Sequence, residues 1–310
     1  YRRAAADYIS KRFQVEVDPA NEVISLIGSK EGIAHFPLAF VDPGDKVFIP
    51  EPGYPVYRDG TIFAGGEVIL MPLTMENSFL PDVAAAIKKH GVPKIVWVNY
   101  PNNPTGVSCT REFYIDLVAL AHEYGFIIAS DAAYTEIYRP GSPKPLSIMS
   151  IPGAKDVAIE FYSFSKMFNM TGWRVGFAIG NSEIISGLAK IKKSIDSGVF
   201  DAIQFAVADS IGHGIEQLEK LRSIYFSRRA QVESIIPSLE LEAIASDSTF
   251  YIWCRILDGK SSEQKASELL QGKGILVSPG TGFGPSGEGY VRFSLTCPQK
   301  DIDDFSALFG

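Results

Sequence analysis

Short apolar runs alternate with helical patterns between residues 22 and 180, and this alternation constrains the fold more than any other feature of the sequence. Seven runs have the length of strands and are rich in Val and Ile: residues 22–28, 45–50, 67–73, 93–101, 126–131, 156–163 and 174–180. They are continuously apolar, as is typical of strands that helices cover on both faces. The pattern predicts a doubly wound α/β domain around a mostly parallel sheet.

The pattern changes after about residue 182, where two or three predicted helices extend to residue 236. A strand at 249–256, a helix at 261–271, a strand at 288–295 and a last helix from about Gln299 follow. This order predicts a large domain at 1–208 and a smaller α+β domain at 209–310 that includes a linking helix. Residues 1–13 already have a helical pattern with no start signal before them, so we expect the chain to continue upstream.

Charge and composition exclude several classes of function. The chain has 310 residues and a formal net charge of −7, whereas a nucleic-acid-binding surface needs clustered basic side chains. No apolar run approaches the roughly 18 residues of a membrane-spanning helix. We therefore expect a cytoplasmic protein with neither nucleic acid nor a membrane as a partner.

The residues that commonly bind metal ions lack the spacing of a metal site. No two histidines form an H-x-x-x-H pair, and the cysteines are odd in number and far apart: His35, His90, His122 and His213, with Cys109, Cys254 and Cys297. We expect no metal site, and we expect reduced thiols that serve in packing.

Polar residues follow several predicted strands, at the edge where open α/β sheets bind ligands. Gly28, Ser29 and Lys30 open a helix and supply backbone N–H groups, a hydroxyl and the positive end of a helix dipole. Ser163 ends a later strand, and Arg174 offers a fork-shaped donor. Together these groups suit a phosphate, although each one alone is more often an ordinary cap, turn or surface residue.

Other strand ends offer groups for a flat ring. Asp131 ends a buried apolar strand, and burying a carboxylate is costly unless it has a partner such as a protonated ring nitrogen. A role as a turn residue is the alternative for Asp131. Tyr54 could stack on a ring or pack in the core, and Asn103 and Tyr134 could hydrogen-bond a ring hydroxyl.

Lys166 lies in the stretch SFSKMFNMTGWRVGF (163–177), directly after an apolar strand. Most lysines are solvated surface groups, but a lysine in a dry site beside a phosphate can attack a carbonyl carbon and form a Schiff base. One ligand would use all of these groups, because it carries a phosphate, a flat ring, a pyridinium nitrogen, a ring oxygen and an aldehyde. The sequence therefore predicts a site for pyridoxal 5′-phosphate (PLP).

The motifs also resemble those of a known family. NNPTG (102–106), D-x-x-Y from Asp131 to Tyr134, and S-x-S-K with Arg174 eight residues after Lys166 resemble the class I/II aminotransferases of the fold-type I PLP enzymes. The resemblance covers nearly the whole chain. It implies a large PLP-binding domain, a smaller C-terminal domain and a homodimer, in which residues 192–204 are our candidate for the segment that reaches the partner's cofactor.

The resemblance also implies roles for individual residues. Lys166 would be the Schiff-base lysine and proton shuttle, Asp131 the partner of the ring nitrogen, and Tyr134, with Asn103, a ligand of the ring oxygen. The cofactor-binding set is Ser29, Lys30, Tyr54, Asn103, Asp131, Tyr134, Ser163, Lys166 and Arg174. The substrate-binding set is Arg292, Asn103, Lys30 and Tyr54, with Arg292 gripping the α-carboxylate.

The residues within these motifs resemble one subgroup of the family more than the others. GSKEGIAH, EPGYPVY and GFGPSGEGYVRFSLT are most similar to the LL-diaminopimelate aminotransferases, which implies transfer of an amino group from LL-2,6-diaminopimelate to 2-oxoglutarate in lysine biosynthesis. Lys30 is then a candidate for binding the distal carboxylate, or else a phosphate neighbour or a solvated residue. An aspartate, alanine or aromatic aminotransferase, a C–S β-lyase and a non-catalytic regulator are the alternatives.

One motif matches a different function only superficially. GFGPSG (282–287) fits G-x-G-x-x-G, but a dinucleotide-binding fingerprint must follow a strand and open a helix. This stretch contains Pro285 and leads into a predicted strand. We therefore predict a loop without a nucleotide-binding role.

Overall fold

The computed structural model describes residues 1–309 and contains a seven-stranded sheet. Its strands are β1 (Val23–Leu26), β2 (Lys46–Glu51), β3 (Glu67–Pro72), β4 (Ile95–Asn99), β5 (Ile127–Asp131), β6 (Ala158–Ser163) and β7 (Gly176–Gly180). They lie in the order β1-β7-β6-β5-β4-β2-β3, and β7 is antiparallel to both of its neighbours. The remaining strands run parallel, which confirms the predicted mostly parallel α/β sheet.

Twelve helices accompany the strands in the described part of the chain. They are α1 (Arg2–Phe13), α2 (Ser29–Phe40), α3 (Val56–Phe63), α4 (Val83–His90), α5 (Arg111–Tyr124), α6 (Ala154–Val157), α7 (Phe164–Met167), α8 (Ser182–Ile195), α9 (Asp201–His213), α10 (Ile215–Glu233), α11 (Ser262–Lys273) and α12 (Gln299–Ala307). None of those in residues 1–309 combines the length and apolar character of a membrane-spanning helix.

Two apolar layers bury the faces of the large sheet. Successive side chains of a strand point to opposite faces, so Val96 and Val98 of β4 join one layer while Ile95 and Trp97 join the other. All four side chains are fully buried. This two-sided burial is why the strands are continuously apolar in sequence.

A second, smaller sheet follows. It contains β8 (Leu241–Ala243), β9 (Tyr251–Ile256), β10 (Ser278–Pro279) and β11 (Tyr290–Ser294) in the antiparallel order β10-β11-β9-β8. The sequence predicted β9 and β11, whereas β8 and β10 are too short to produce a pattern. The predicted domain boundary at residues 208 and 209 falls inside α9, so a division at 1–208 and 209–310 stays a proposal.

The strand register brings several loops to one edge of the large sheet. Asn99 of β4 pairs with Asp131 of β5, and Gly176 of β7 pairs with both Leu26 of β1 and Ser163 of β6. The chain segments that follow β1, β4, β5 and β6 therefore start side by side. Ligands bind at such a carboxyl edge in open α/β sheets.

Candidate active site

A cavity of about 280 Å³ lies between this edge and the small sheet. All ten residues that the sequence predicted for the site line it: Ser29, Lys30, Tyr54, Asn103, Asp131, Tyr134, Ser163, Lys166, Arg174 and Arg292. Arg292 comes from β11, as Tyr251 comes from β9, so both sheets build the wall. The structure thus brings the whole predicted set together.

One end of the cavity is built to receive an anion. Helix α2 begins at Ser29 without a side-chain cap, so the N–H groups of its first turn remain available. Gly28 has a φ of +74°, and a Cβ at that position would lie 2.5 Å from Nη2 of Arg174. The glycine therefore lets the guanidinium pack against the helix N-terminus. With the hydroxyls of Ser29 and Ser163, this arrangement suits a phosphate.

Asp131 is a buried carboxylate with neutral partners. Its Oδ2 accepts a hydrogen bond from the Tyr57 hydroxyl at 2.7 Å, and its Oδ1 accepts one from the Ala133 N–H at 3.2 Å. Burial raises the pKa of Asp131 to about 6, although these donors and the Lys166 ammonium act in the opposite direction. A cationic ligand atom beside Asp131 would remove the cost of burying its charge.

Tyr57 was not predicted from the sequence. Tyr54, predicted from EPGYPVY, does line the cavity, where burial and then the charge of Asp131 raise its pKa to about 12. Tyr57 is fully buried and stacks on Trp97 with ring centroids 4.9 Å apart, so its hydroxyl reaches Asp131 from the core. Helical spacing gave no signal, because Tyr54 precedes α3 whereas Tyr57 lies in its first turn.

Lys166 stands just beyond the end of β6, on the short helix α7. Its side chain is half-buried, and its Nζ lies 5.8 Å from the ring centroid of Tyr134 and 5.6 Å from that of Phe250. The amine therefore faces the cavity against aromatic rings instead of a carboxylate. Such an amine can act as a nucleophile or as a base.

Arg292 is held flat between two rings that the sequence analysis did not identify. Its Cζ lies 3.8 Å from the ring centroid of Tyr251 and 4.4 Å from that of Phe283. Nη1 donates to Oδ1 of Asn103 at 2.6 Å, whereas Nε is buried with no hydrogen-bond partner among the described residues. Burial lowers the pKa of Arg292. A substrate carboxylate would accept a hydrogen bond from Nε and would balance the positive charge of the guanidinium.

Comparison with known proteins identifies the family. The family model for aminotransferase class I and II matches residues 1–307. The chain is 52% identical over 306 residues to the LL-diaminopimelate aminotransferase of Aquifex aeolicus, an alignment that covers 97% of this chain and 78% of the relative. It is 50% identical over 297 residues to the protein of the same name from Maridesulfovibrio salexigens, covering 96% and 76%.

Solved structures agree with the sequence matches. An aminotransferase from Staphylococcus aureus superposes with a TM-score of 0.91 at 34% identity, covering 99% of this chain and 81% of that one. The fold-type I architecture expected from the motifs is therefore confirmed. The chain belongs to the class I and II aminotransferases, a family of PLP-dependent enzymes.

Proposed function

We propose that this aminotransferase moves an amino group from LL-2,6-diaminopimelate to 2-oxoglutarate, a reaction of lysine biosynthesis. The observation that carries the proposal is the 52% and 50% identity to two relatives named for that donor. The motifs GSKEGIAH and EPGYPVY, which contribute Ser29, Lys30 and Tyr54 to the cavity, support the same conclusion.

The wall of the cavity fits PLP. Ser29, Ser163, Arg174 and the start of α2 would hold the phosphate, and Tyr54 would cover the face of the ring. Asn103 and Tyr134 would hydrogen-bond the ring oxygen. Asp131 is the most telling of these residues, because a buried carboxylate with only neutral hydrogen-bond donors suits a protonated ring nitrogen.

Each residue then has a defined task. When bound, PLP supplies an electron sink for the bonds at the donor's α-carbon. Lys166 would hold the cofactor covalently until the donor's amine displaces it, and its freed Nζ would then accept the α-proton of the donor and later return a proton. Asp131 keeps a proton on the ring nitrogen, and Arg292 orients the substrate through its α-carboxylate. The rings of Tyr251 and Phe283 keep water away from both faces of that guanidinium.

Lys30 is our candidate for recognising the distal end of the donor. It is exposed on the wall of the cavity, next to Ser29 in the first turn of α2. A lysine at this rim can pair with the distal carboxylate of a seven-carbon diamino diacid while Arg292 binds the near one. Donors whose carboxylate does not reach Lys30 would forgo this ion pair, which contributes up to about 1 kcal/mol for an exposed lysine.

A panel of amino donors with 2-oxoglutarate tests the substrate. We expect LL-diaminopimelate to give kcat/KM at least about fivefold higher than aspartate, because the shorter aspartate side chain does not carry its second carboxylate as far as Lys30 and so forgoes that ion pair. Lys30→Ala should reduce this preference. A higher kcat/KM for aspartate or an aromatic amino acid would refute the substrate. Release of pyruvate and ammonia from a sulfur amino acid would instead indicate a C–S lyase.

We further propose that the enzyme is a homodimer and that the segment 192–204 lies at its interface. Ile195 and Phe200 in this segment, and Phe205 just after it, are 49%, 72% and 77% exposed. Large apolar side chains grouped in this way are typical of an interface. The end of α8 is anchored internally, since Lys192 pairs with Glu31 and Asp196.

Sedimentation tests the dimer. Phe200→Asp combined with Phe205→Asp should convert the dimer to monomers and lower activity, because each change would bury an unpaired charge in the interface. Leu276→Asp is the control, since Leu276 is 79% exposed but lies next to the small sheet. Full activity in a wild-type protein that sediments as a monomer would contradict the proposal.

We place the enzyme in the cytoplasm. Its three cysteines, Cys109, Cys254 and Cys297, are free thiols. Thiols of this kind persist where the compartment is reducing.

A further inference from the structure

The glycine-rich loop of residues 280–287 (GTGFGPSG) has a function that its resemblance to a nucleotide-binding motif conceals. It forms two short 3-10 turns, Gly280–Phe283 and Pro285–Gly287, and then leads into β11, which carries Arg292. The loop also contacts the end of β2 and the segment that follows it, residues 51–54, which carries Tyr54. The loop therefore joins the small sheet to the large one beside the site.

Glu51, the last residue of β2, is the centre of this contact. The residue is 4% exposed. The Ser286 N–H donates to Oε1 at 2.6 Å, and the Ser286 hydroxyl donates to Oε2. Both donors are neutral and come from a residue 235 positions away in the chain. A buried carboxylate adds little net stability to a protein. Its burial destabilises the fold when its hydrogen-bond donors are removed.

Gly284 and a backbone hydrogen bond belong to the same contact. Gly284 has a φ of +119°, and a Cβ at that position would run into the Glu51 carboxylate. In addition, the Gly53 N–H donates to the Phe283 carbonyl at 2.9 Å. Three hydrogen bonds thus fix residues 283–286 against residues 51–53; we call this contact the Glu51–Ser286 latch.

The latch determines where Phe283 lies. The ring of Phe283 lines the cavity and covers one face of the Arg292 guanidinium, with Cζ 4.4 Å from the ring centroid. On its other side the ring meets Trp253 edge-on at 5.8 Å. Because the carbonyl of Phe283 and the next residues are hydrogen-bonded to residues 51–53, loss of the latch would free the backbone that carries the ring.

We propose that Glu51 and Ser286 are positioning residues that set the affinity of Arg292 for the substrate carboxylate by holding Phe283 over its guanidinium. The proposal rests on the role of Arg292 given above. A guanidinium covered on both faces can meet a carboxylate only in its plane, and the shielding from water strengthens that ion pair. Loss of the latch would expose one face and weaken the pair.

Glutarate, a five-carbon dicarboxylate with no amino or oxo group, is a suitable probe because it binds without reacting. In Glu51→Ala and Ser286→Ala we expect its inhibition constant, and KM for 2-oxoglutarate, to rise about tenfold, as for the loss of a hydrogen bond to a charged group. We expect kcat and the affinity for PLP to stay within about twofold, because neither residue is in contact with the reacting atoms. Glu51→Gln should rescue binding, since its amide accepts from the Ser286 N–H and donates to the hydroxyl.

Two controls make the test specific. Ser147→Ala removes a hydroxyl from another buried carboxylate, Glu160, and should leave the inhibition constant unchanged. Ser286 is exposed, so Ser286→Ala keeps the test valid even where Glu51→Ala folds poorly. The double variant Glu51→Ala with Ser286→Ala should be no weaker than Glu51→Ala alone, because both changes break the same contact.

The variant Arg292→Ala distinguishes a failure of the latch proposal from a failure of the role proposed for Arg292. If Arg292→Ala weakens glutarate binding while Ser286→Ala and folded Glu51→Ala bind it as tightly as wild type, the latch is refuted and the role of Arg292 stands. If Arg292→Ala also binds glutarate normally, the role of Arg292 fails, and the latch proposal fails with it. Equal losses in PLP affinity and glutarate affinity would mean general disruption and would likewise refute a positioning role.

Discussion

Replacing Lys166 with alanine should reduce amino transfer by at least about 10⁴-fold, the upper range for one general acid–base group, since covalent attachment is lost as well. The fold should persist, because the side chain is half-buried and its amine faces two aromatic rings. PLP should still bind through Ser29, Ser163 and Arg174. Single-turnover kinetics with glutamate as donor would measure the loss.

Borohydride reduction followed by mass spectrometry gives an independent readout. Wild-type protein should gain the mass of one cofactor per chain, and Lys166→Ala should gain none. Lys220→Ala serves as the control, since Lys220 is exposed on α10. Turnover close to wild type in Lys166→Ala would show that another group moves the α-proton and that the assignment of Lys166 is wrong.

The sequence was sufficient to predict which residues line the cavity, because most of them follow the ends of strands. Continuous apolar runs located β2, β4, β5 and β6, and parallel strands place their carboxyl ends at one edge. The strand register places Asn99 beside Asp131. The residues that follow these two strands are therefore neighbours in space, and their proximity follows from the strand assignment alone. Asp131, Asn103 and Lys166 were therefore predictable from local patterns.

Contacts between distant segments were not predictable in this way. Tyr251 and Phe283 enclose Arg292 because β9 and the loop before β11 meet the large sheet, and no spacing in the sequence encodes that approach. Glu51 and Ser286 are 235 residues apart, and no pattern in the sequence links them. Tyr57 reaches Asp131 only because stacking on Trp97 fixes its ring. The positions of these side chains depend on packing between the two sheets or across the core, which sequence periodicity does not report.

Asp131→Asn carries the second large expected effect. The variant keeps the size of the side chain and can still accept the Tyr57 hydrogen bond, but it has no charge to hold a proton on the ring nitrogen. Removing one partner of a buried ion pair costs about 3–5 kcal/mol, so we expect kcat about 10²–10⁴-fold lower. Stopped-flow spectroscopy of the bound cofactor would measure the rate, and Asp116→Asn, an exposed position on α5, is the control. A kcat within about twofold of wild type would contradict the pairing.

The pH dependence of stability tests the same carboxylate without any catalysis. Burial raises the pKa of Asp131 from 3.8 to about 6, so the cofactor-free folded protein binds this proton more tightly than the unfolded chain does. Its contribution to the free energy of unfolding is therefore present below pH 3.8 and is lost as the pH rises through 6. Relative to Asp131→Asn, cofactor-free wild type should lose up to about 3 kcal/mol of stability between about pH 4 and pH 7, measured by urea unfolding. PLP should abolish most of this loss, because a protonated ring nitrogen stabilises the carboxylate. A loss that PLP leaves unchanged would mean that the ring nitrogen does not lie beside Asp131.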